Sequence, residues 1–106
     1  MTDVFKHIST TEANQQLNND DWIFADIRDA ASFQQGHIEN AFALTNQSLA
    51  EFVQSHDFDK HVVVYCYHGH SSQGAAQYLV NYGFENVYSM DGGFEAWRKQ
   101  FAISQD

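Results

Sequence analysis

Residues 62–65 read Val-Val-Val-Tyr, an unbroken apolar run whose β-branched side chains leave no polar face. A strand of that kind is covered on both sides, so it belongs in the middle of a parallel sheet. The chain leaves it through Cys66 and the loop Tyr67-His-Gly-His-Ser-Ser72, and then enters a helical run over 73–82. Ala75, Ala76, Leu79 and Val80 form the core side of that helix, Ser71 or Ser72 is its expected cap, and Gly83 stands at the C′ position. A buried strand that passes through a short loop into a helix is the signature of an α/β fold.

The rest of the chain repeats the alternation. Ser9-Thr-Thr-Glu12 is a capping box that predicts a helix to about Asn18, and 22–26, Trp-Ile-Phe-Ala-Asp, predicts a buried strand. Asp29 caps one or two helical turns that end at Gly36, and 41–44 is a short extended piece. A helix is expected over 46–54 with Leu49, Phe52 and Val53 as its stripe, then a strand over 87–90. Asp91-Gly-Gly93 turns the chain into a last helix bearing Phe94, Trp97 and Phe101. Strands alternating with helices imply a mainly parallel sheet in one domain spanning 1–106. Such sheets bind ligands at the carboxyl ends of their strands, which is where Cys66 falls.

Cys66 is the only cysteine, so no internal disulfide can form and a reducing cytoplasm suits the chain. The N-terminus has neither a basic n-region nor an apolar h-region, and no apolar run is long enough to span a bilayer. A formal charge of −9 argues against nucleic acid or an anionic membrane surface as partner, and reads most simply as a solubilising surface.

A free thiol has a pKa of about 8.5 and is only roughly 3% ionised at neutral pH, but a helix N-terminus shifts it toward thiolate. Buried cysteine is often inert packing. The loop argues otherwise here: Gly69 permits positive φ, Ser71 and Ser72 add hydroxyl donors, and successive N–H groups can converge into an anion-binding nest.

Other chemistries compete for these residues. Cys66, His68 and His70 could ligate a metal, but three alternate residues on one tight loop make poor tetrahedral geometry. A Cys–His pair would draw on His37, although Gly36-His37-Ile38 reads more simply as a turn histidine bonded to backbone. Asp26-Ile-Arg28, just beyond the strand over 22–26, reads as a pair that organises the loop, with direct substrate contact by Arg28 the second option.

Taken together, Asp26-Ile-Arg28, Gly36-His37-Ile38 with Asn40-Ala41, Cys66-Tyr-His-Gly-His-Ser-Ser72, Gly74-Ala-Ala76 and Asp91-Gly-Gly-Phe-Glu-Ala-Trp97 resemble the rhodanese superfamily, in particular its single-domain bacterial thiosulfate sulfurtransferases. The resemblance implies a five-stranded, mainly parallel sheet with helices on both faces, and no cofactor or resident metal. It implies that Cys66 carries a persulfide between a donor, thiosulfate or another sulfane-sulfur compound, and an acceptor. That acceptor would be cyanide, a small thiol or a thioredoxin-like protein. Amides from Tyr67, His68, Gly69, His70, Ser71 and Ser72 would hold the charge. The chain departs from many family members in having Ser71 where they carry a basic residue. Two rivals stand beside this reading. One is a non-enzymatic persulfide carrier. The other is a cysteine-dependent phosphatase or arsenate reductase of related fold, whose longer loop is closed by an arginine that this loop lacks.

Overall fold

A computed structural model describes residues 3–105. In chain order the elements are β1 (Lys6–Ile8), α1 (Thr10–Gln15), β2 (Trp22–Asp26), α2 (Ala30–Gln35), β3 (Phe42–Ala43), α3 (Leu49–Ser55), β4 (His61–Tyr65), α4 (Ser71–Tyr82), β5 (Asn86–Met90) and α5 (Gly93–Arg98). The five strands form one sheet in the order β1-β5-β4-β2-β3, and every pairing is parallel.

β4 is central because its composition allows nothing else. Val62, Val63, Val64 and Tyr65 are all fully buried, and each covered valine stabilises the fold by about 1.5–3 kcal/mol. Successive strand side chains point to opposite faces, so β4 feeds two cores. Val63 and Tyr65 pack with Phe24 of β2, Ala13 of α1, and Phe94 and Trp97 of α5. Val62 and Val64 pack on the other face with Phe52 of α3 and Ala76 and Leu79 of α4. Helices therefore cover both faces of the sheet. Among the described residues, no helix is long and apolar enough to cross a membrane.

Several expected boundaries shift. The capping box of Ser9 and Glu12 forms, but α1 stops at Gln15. The stretch 46–48 is a turn preceding α3, because Thr45 and Ser48 exchange hydroxyl–amide bonds of 2.8 and 3.1 Å that compete with helix. α5 ends at Arg98, and Phe101 lies beyond it while still packing on the core. β1 answers to no strand expected from the residue pattern. Only Ile8 of its three residues is buried, so the pattern is too short to show alternation.

Parallel pairing brings the strand ends together. Asp26 stands opposite Tyr65, and Ile8 opposite Met90. The segments leaving β2, β4 and β5, which begin at Ile27, Cys66 and Asp91, thus emerge at one edge of the sheet.

Candidate active site

Cys66 opens the loop between β4 and α4, and only 7% of its surface is exposed. Its sulfur accepts the N–H of Gly69 at 3.1 Å and that of Ser72 at 3.3 Å, and the Ser72 hydroxyl lies 3.4 Å away. This arrangement corrects the expected helix cap. His70 occupies the N-cap position without a side-chain cap bond, and neither Ser71 nor Ser72 caps α4. Ser72 is the second helical residue, whose N–H a capping oxygen would normally accept. The sulfur takes that bond instead.

Burial pushes the Cys66 thiol up, but hydrogen bonds from the Ser72 hydroxyl and from the Ser72, Gly69 and His68 backbone outweigh it. The net shift is below the ordinary thiol value. The cause is a set of neutral dipoles; no ionised side chain bonds to the sulfur.

The loop is shaped from behind by the turn 91–93. Phe94 donates its N–H to the Cys66 carbonyl at 2.8 Å, and Glu95 donates to the Tyr67 carbonyl at 3.0 Å. With those carbonyls held by α5, the loop's other amides are free to turn toward the sulfur. The approach requires glycine twice. Gly93 has φ +62°, and a Cβ there would stand 2.5 Å from the Tyr67 carbonyl oxygen; Gly69 has φ +91°, and its Cβ would stand 2.9 Å from the Gly92 nitrogen. Gln73 adds a bond from Nε2 to the Gly69 carbonyl at 3.0 Å.

The remaining loop residues face outward. Tyr67, His68, His70 and Ser71 are exposed, and the His68 ring tilts against Tyr67 at 4.9 Å. Tyr67 walls a groove of about 160 Å³ together with Ser32, Gly36, Phe94 and Arg98. Arg98, distant from Cys66 in sequence, is thus brought beside the loop, where it pairs with Glu95 at 2.7 Å.

Asp26 and Arg28 are turned into the protein. The Arg28 Nη2 donates to Asp26 at 2.8 Å and to the Gly36 carbonyl at 2.6 Å, and the two side chains are 0% and 5% exposed for Asp26 and Arg28. Every polar edge of the carboxylate is engaged, since Oδ1 also accepts the Arg28 N–H at 2.8 Å. His37 is buried. Its Nδ1 lies 2.7 Å from the Phe33 carbonyl, and its ring stacks on Phe33 at 3.9 Å. It does not bond to the sulfur.

Two contributors to the site carry almost no mark in the sequence. The α5 amides act through backbone, which leaves no residue-type signal. Ser89 lies fully buried on β5, with its hydroxyl 2.8 Å from that of Ser72. A lone small polar residue in a buried strand is the only hint of it.

The rhodanese-like domain family matches residues 9–100. A curated protein of Pseudoalteromonas translucida, thiosulfate sulfurtransferase GlpE, is 51% identical over 98 residues, covering 92% of this chain and 93% of its own length. A rhodanese-related protein from Thermoplasma volcanium superposes with a TM-score of 0.81 at 21% identity, covering 96% of this chain and 100% of that one, and bears on the fold alone. A protein of unknown function from Rhodopseudomonas palustris, called a possible tyrosine phosphatase, superposes with a TM-score of 0.77 at 27% identity, covering 90% and 80%. With its family match, its near full-length relative and its five-stranded parallel sheet, this chain belongs to the rhodanese-like family.

Proposed function

We propose that the protein is a thiosulfate sulfurtransferase that carries sulfane sulfur on Cys66. The carrying observation is the convergence of the Gly69 and Ser72 N–H groups and the Ser72 hydroxyl on one sulfur at a strand end. The name of the Pseudoalteromonas relative supplies the donor. The Cys66 thiolate attacks the outer sulfur of thiosulfate. A sulfur–sulfur bond forms to Cys66, the bond to the sulfonate sulfur breaks, and sulfite leaves with its electron pair. The terminal persulfide sulfur is then attacked by cyanide, a small thiol or a thioredoxin-like thiol, and the Cys66 thiolate is released. Donors already fixed around the sulfur need no reorganisation as charge moves through these steps.

In this reading the backbone of residues 67–72 cradles the donor, while the Tyr67, His68 and His70 side chains stand at the mouth. Asp26 and Arg28 brace the loop and do not contact substrate, since they are engaged with each other and Arg28 also donates to the Gly36 carbonyl. A reducing compartment such as the cytoplasm suits a lone thiol of this kind. Phosphoryl transfer is disfavoured because residues 67–72 include no arginine to clamp a tetrahedral oxyanion.

The test is direct. After incubation with thiosulfate, intact mass should show one added sulfur atom on Cys66, removable by cyanide or by thiols. Multiple turnover separates an enzyme from a stoichiometric carrier. Sulfur transfer by a folded Cys66→Ser variant would end the proposal.

A further inference from the structure

We infer that Ser89 is a positioning residue for Cys66, acting through Ser72 to turn a hydroxyl proton toward the thiolate. This rests on the reading that Cys66 works as a thiolate, and extends it to β5, whose Ser89 makes no hydrogen bond to the sulfur itself.

Three atoms form a buried line: Cys66 Sγ, Ser72 Oγ at 3.4 Å, and Ser89 Oγ a further 2.8 Å on. Ser72 and Ser89 are both 0% exposed, and among the described residues Ser72 is the one hydrogen-bond partner of the Ser89 hydroxyl. Ser89 shares the inner face of β5 with Val87, which packs under α4.

Proton counting gives the line a direction. With Cys66 as a thiol, three atoms carry three protons; the thiol donates to Ser72, Ser72 to Ser89, and the Ser89 proton has no acceptor within the line. Ionisation removes one proton. The remaining two then point the same way, Ser89 to Ser72 and Ser72 to the sulfur. Both hydroxyl dipoles now aim their positive ends at the anion, and each bond polarises the next. The arrangement favours the thiolate over the thiol.

The charged and titratable groups nearby leave this assignment intact. They are His68 and His70 on the loop, Glu95 and Arg98 on α5, Asp91 in the turn before α5, and the Asp26–Arg28 pair leaving β2. None of them hydrogen-bonds to the sulfur, and Asp91 pairs with His7 at 2.8 Å.

The experiment is a double-mutant cycle on the pH dependence of iodoacetamide alkylation, using Ser72→Ala, Ser89→Ala and the double variant. Polarisation of one charge-assisted bond by a second predicts that Ser89→Ala raises the midpoint by roughly 0.3–0.5 unit, slowing alkylation below the midpoint about two- to three-fold. In the Ser72→Ala background the same change should add nothing. Ser89→Thr keeps the hydroxyl on a side chain suited to a strand, and should restore the wild-type midpoint. An unshifted midpoint in Ser89→Ala, an equal shift in both backgrounds, or a folded threonine variant that behaves like alanine would each overturn the relay. Alkylation does not depend on sulfur transfer. Failure here therefore leaves the proposed function standing, and failure of persulfide loading leaves the relay to be judged on its own.

Discussion

The Arg28 guanidinium lies 4.0 Å from the centre of the Phe94 ring, and Phe94 in turn donates its amide to the carbonyl of Cys66. One stacked pair therefore joins the exit of β2 to the first turn of α5, and through it to the loop. The Asp26 carboxylate holds the guanidinium in place from its other side.

Removing the carboxylate charge should expose how much that brace carries. Asp26→Asn leaves a buried guanidinium with no charge partner, and breaking such a pair from one side costs about 3–5 kcal/mol. The urea midpoint should fall accordingly. Arg28→Lys keeps the charge but gives up the planar fork and the stack, and should fall by a smaller amount. A change within about 1 kcal/mol for Asp26→Asn would show that water or a rearranged loop replaces the pair.

Acid should quench the nucleophile gradually. Cys66 is depressed in the folded state, so the unfolded chain binds more protons in the interval between the folded and unfolded values. Stability from the thiolate is then fully present above the unfolded pKa and lost as pH falls through the folded one. Alkylation of Cys66 should titrate below about 8.5, the free-thiol value. Over the same interval the stability of the wild type relative to Cys66→Ala should rise with pH. A midpoint at or above the free-thiol value contradicts the bonding pattern.

Two glycines of similar appearance in the sequence should respond in opposite directions. Gly93→Ala forces a left-handed residue to carry a Cβ 2.5 Å from the Tyr67 carbonyl, so the turn and the loop must separate. Stability and Cys66 reactivity should fall together. Gly74 lies within α4, and a Cβ added there would meet nothing within 4 Å. Its change to alanine should stabilise by about 0.5–1 kcal/mol through helix propensity. Thermal melts of the two variants decide the matter, and a destabilised Gly74→Ala would show that the helix does not accept the added Cβ at this position.

What can be read from the chain and what cannot follows the range of the interactions. β2 and β4 are visible because residues covered on both faces leave unbroken apolar runs, and the Ser9–Glu12 box is visible because its partners lie three residues apart. β1 is hidden because pairing with β5, about eighty residues away, supplies what its three residues lack. The sequence points to a serine cap for α4, whereas the acceptor is a sulfur at the end of the preceding strand. Arg98 and Ser89 reach the site only through the packing of α5 and β5. Cys66 and its loop are legible as a site; the supports behind them are not.

Ser71 offers the sharpest test of donor recognition. It is exposed at the first position of α4 and makes no capping bond, so it can be changed without removing a structural contact. If it occupies the place of the basic loop residue of related enzymes, thiosulfate is held here chiefly by backbone amides, against a formal charge of −9. A guanidinium at this position adds a charge-assisted bond to the dianion, worth on the order of 1 kcal/mol at an exposed site. That corresponds to a KM for thiosulfate roughly five-fold lower. The gain should shrink as salt is raised, because a new surface charge pair is screened. Ser71→Ala separates charge from side-chain loss. Without a cap bond to lose, it should leave both the melting temperature and KM close to wild type. A stably folded Ser71→Arg protein with an unchanged or higher KM would mean that Ser71 faces away from the donor and does not occupy the place of the basic loop residue.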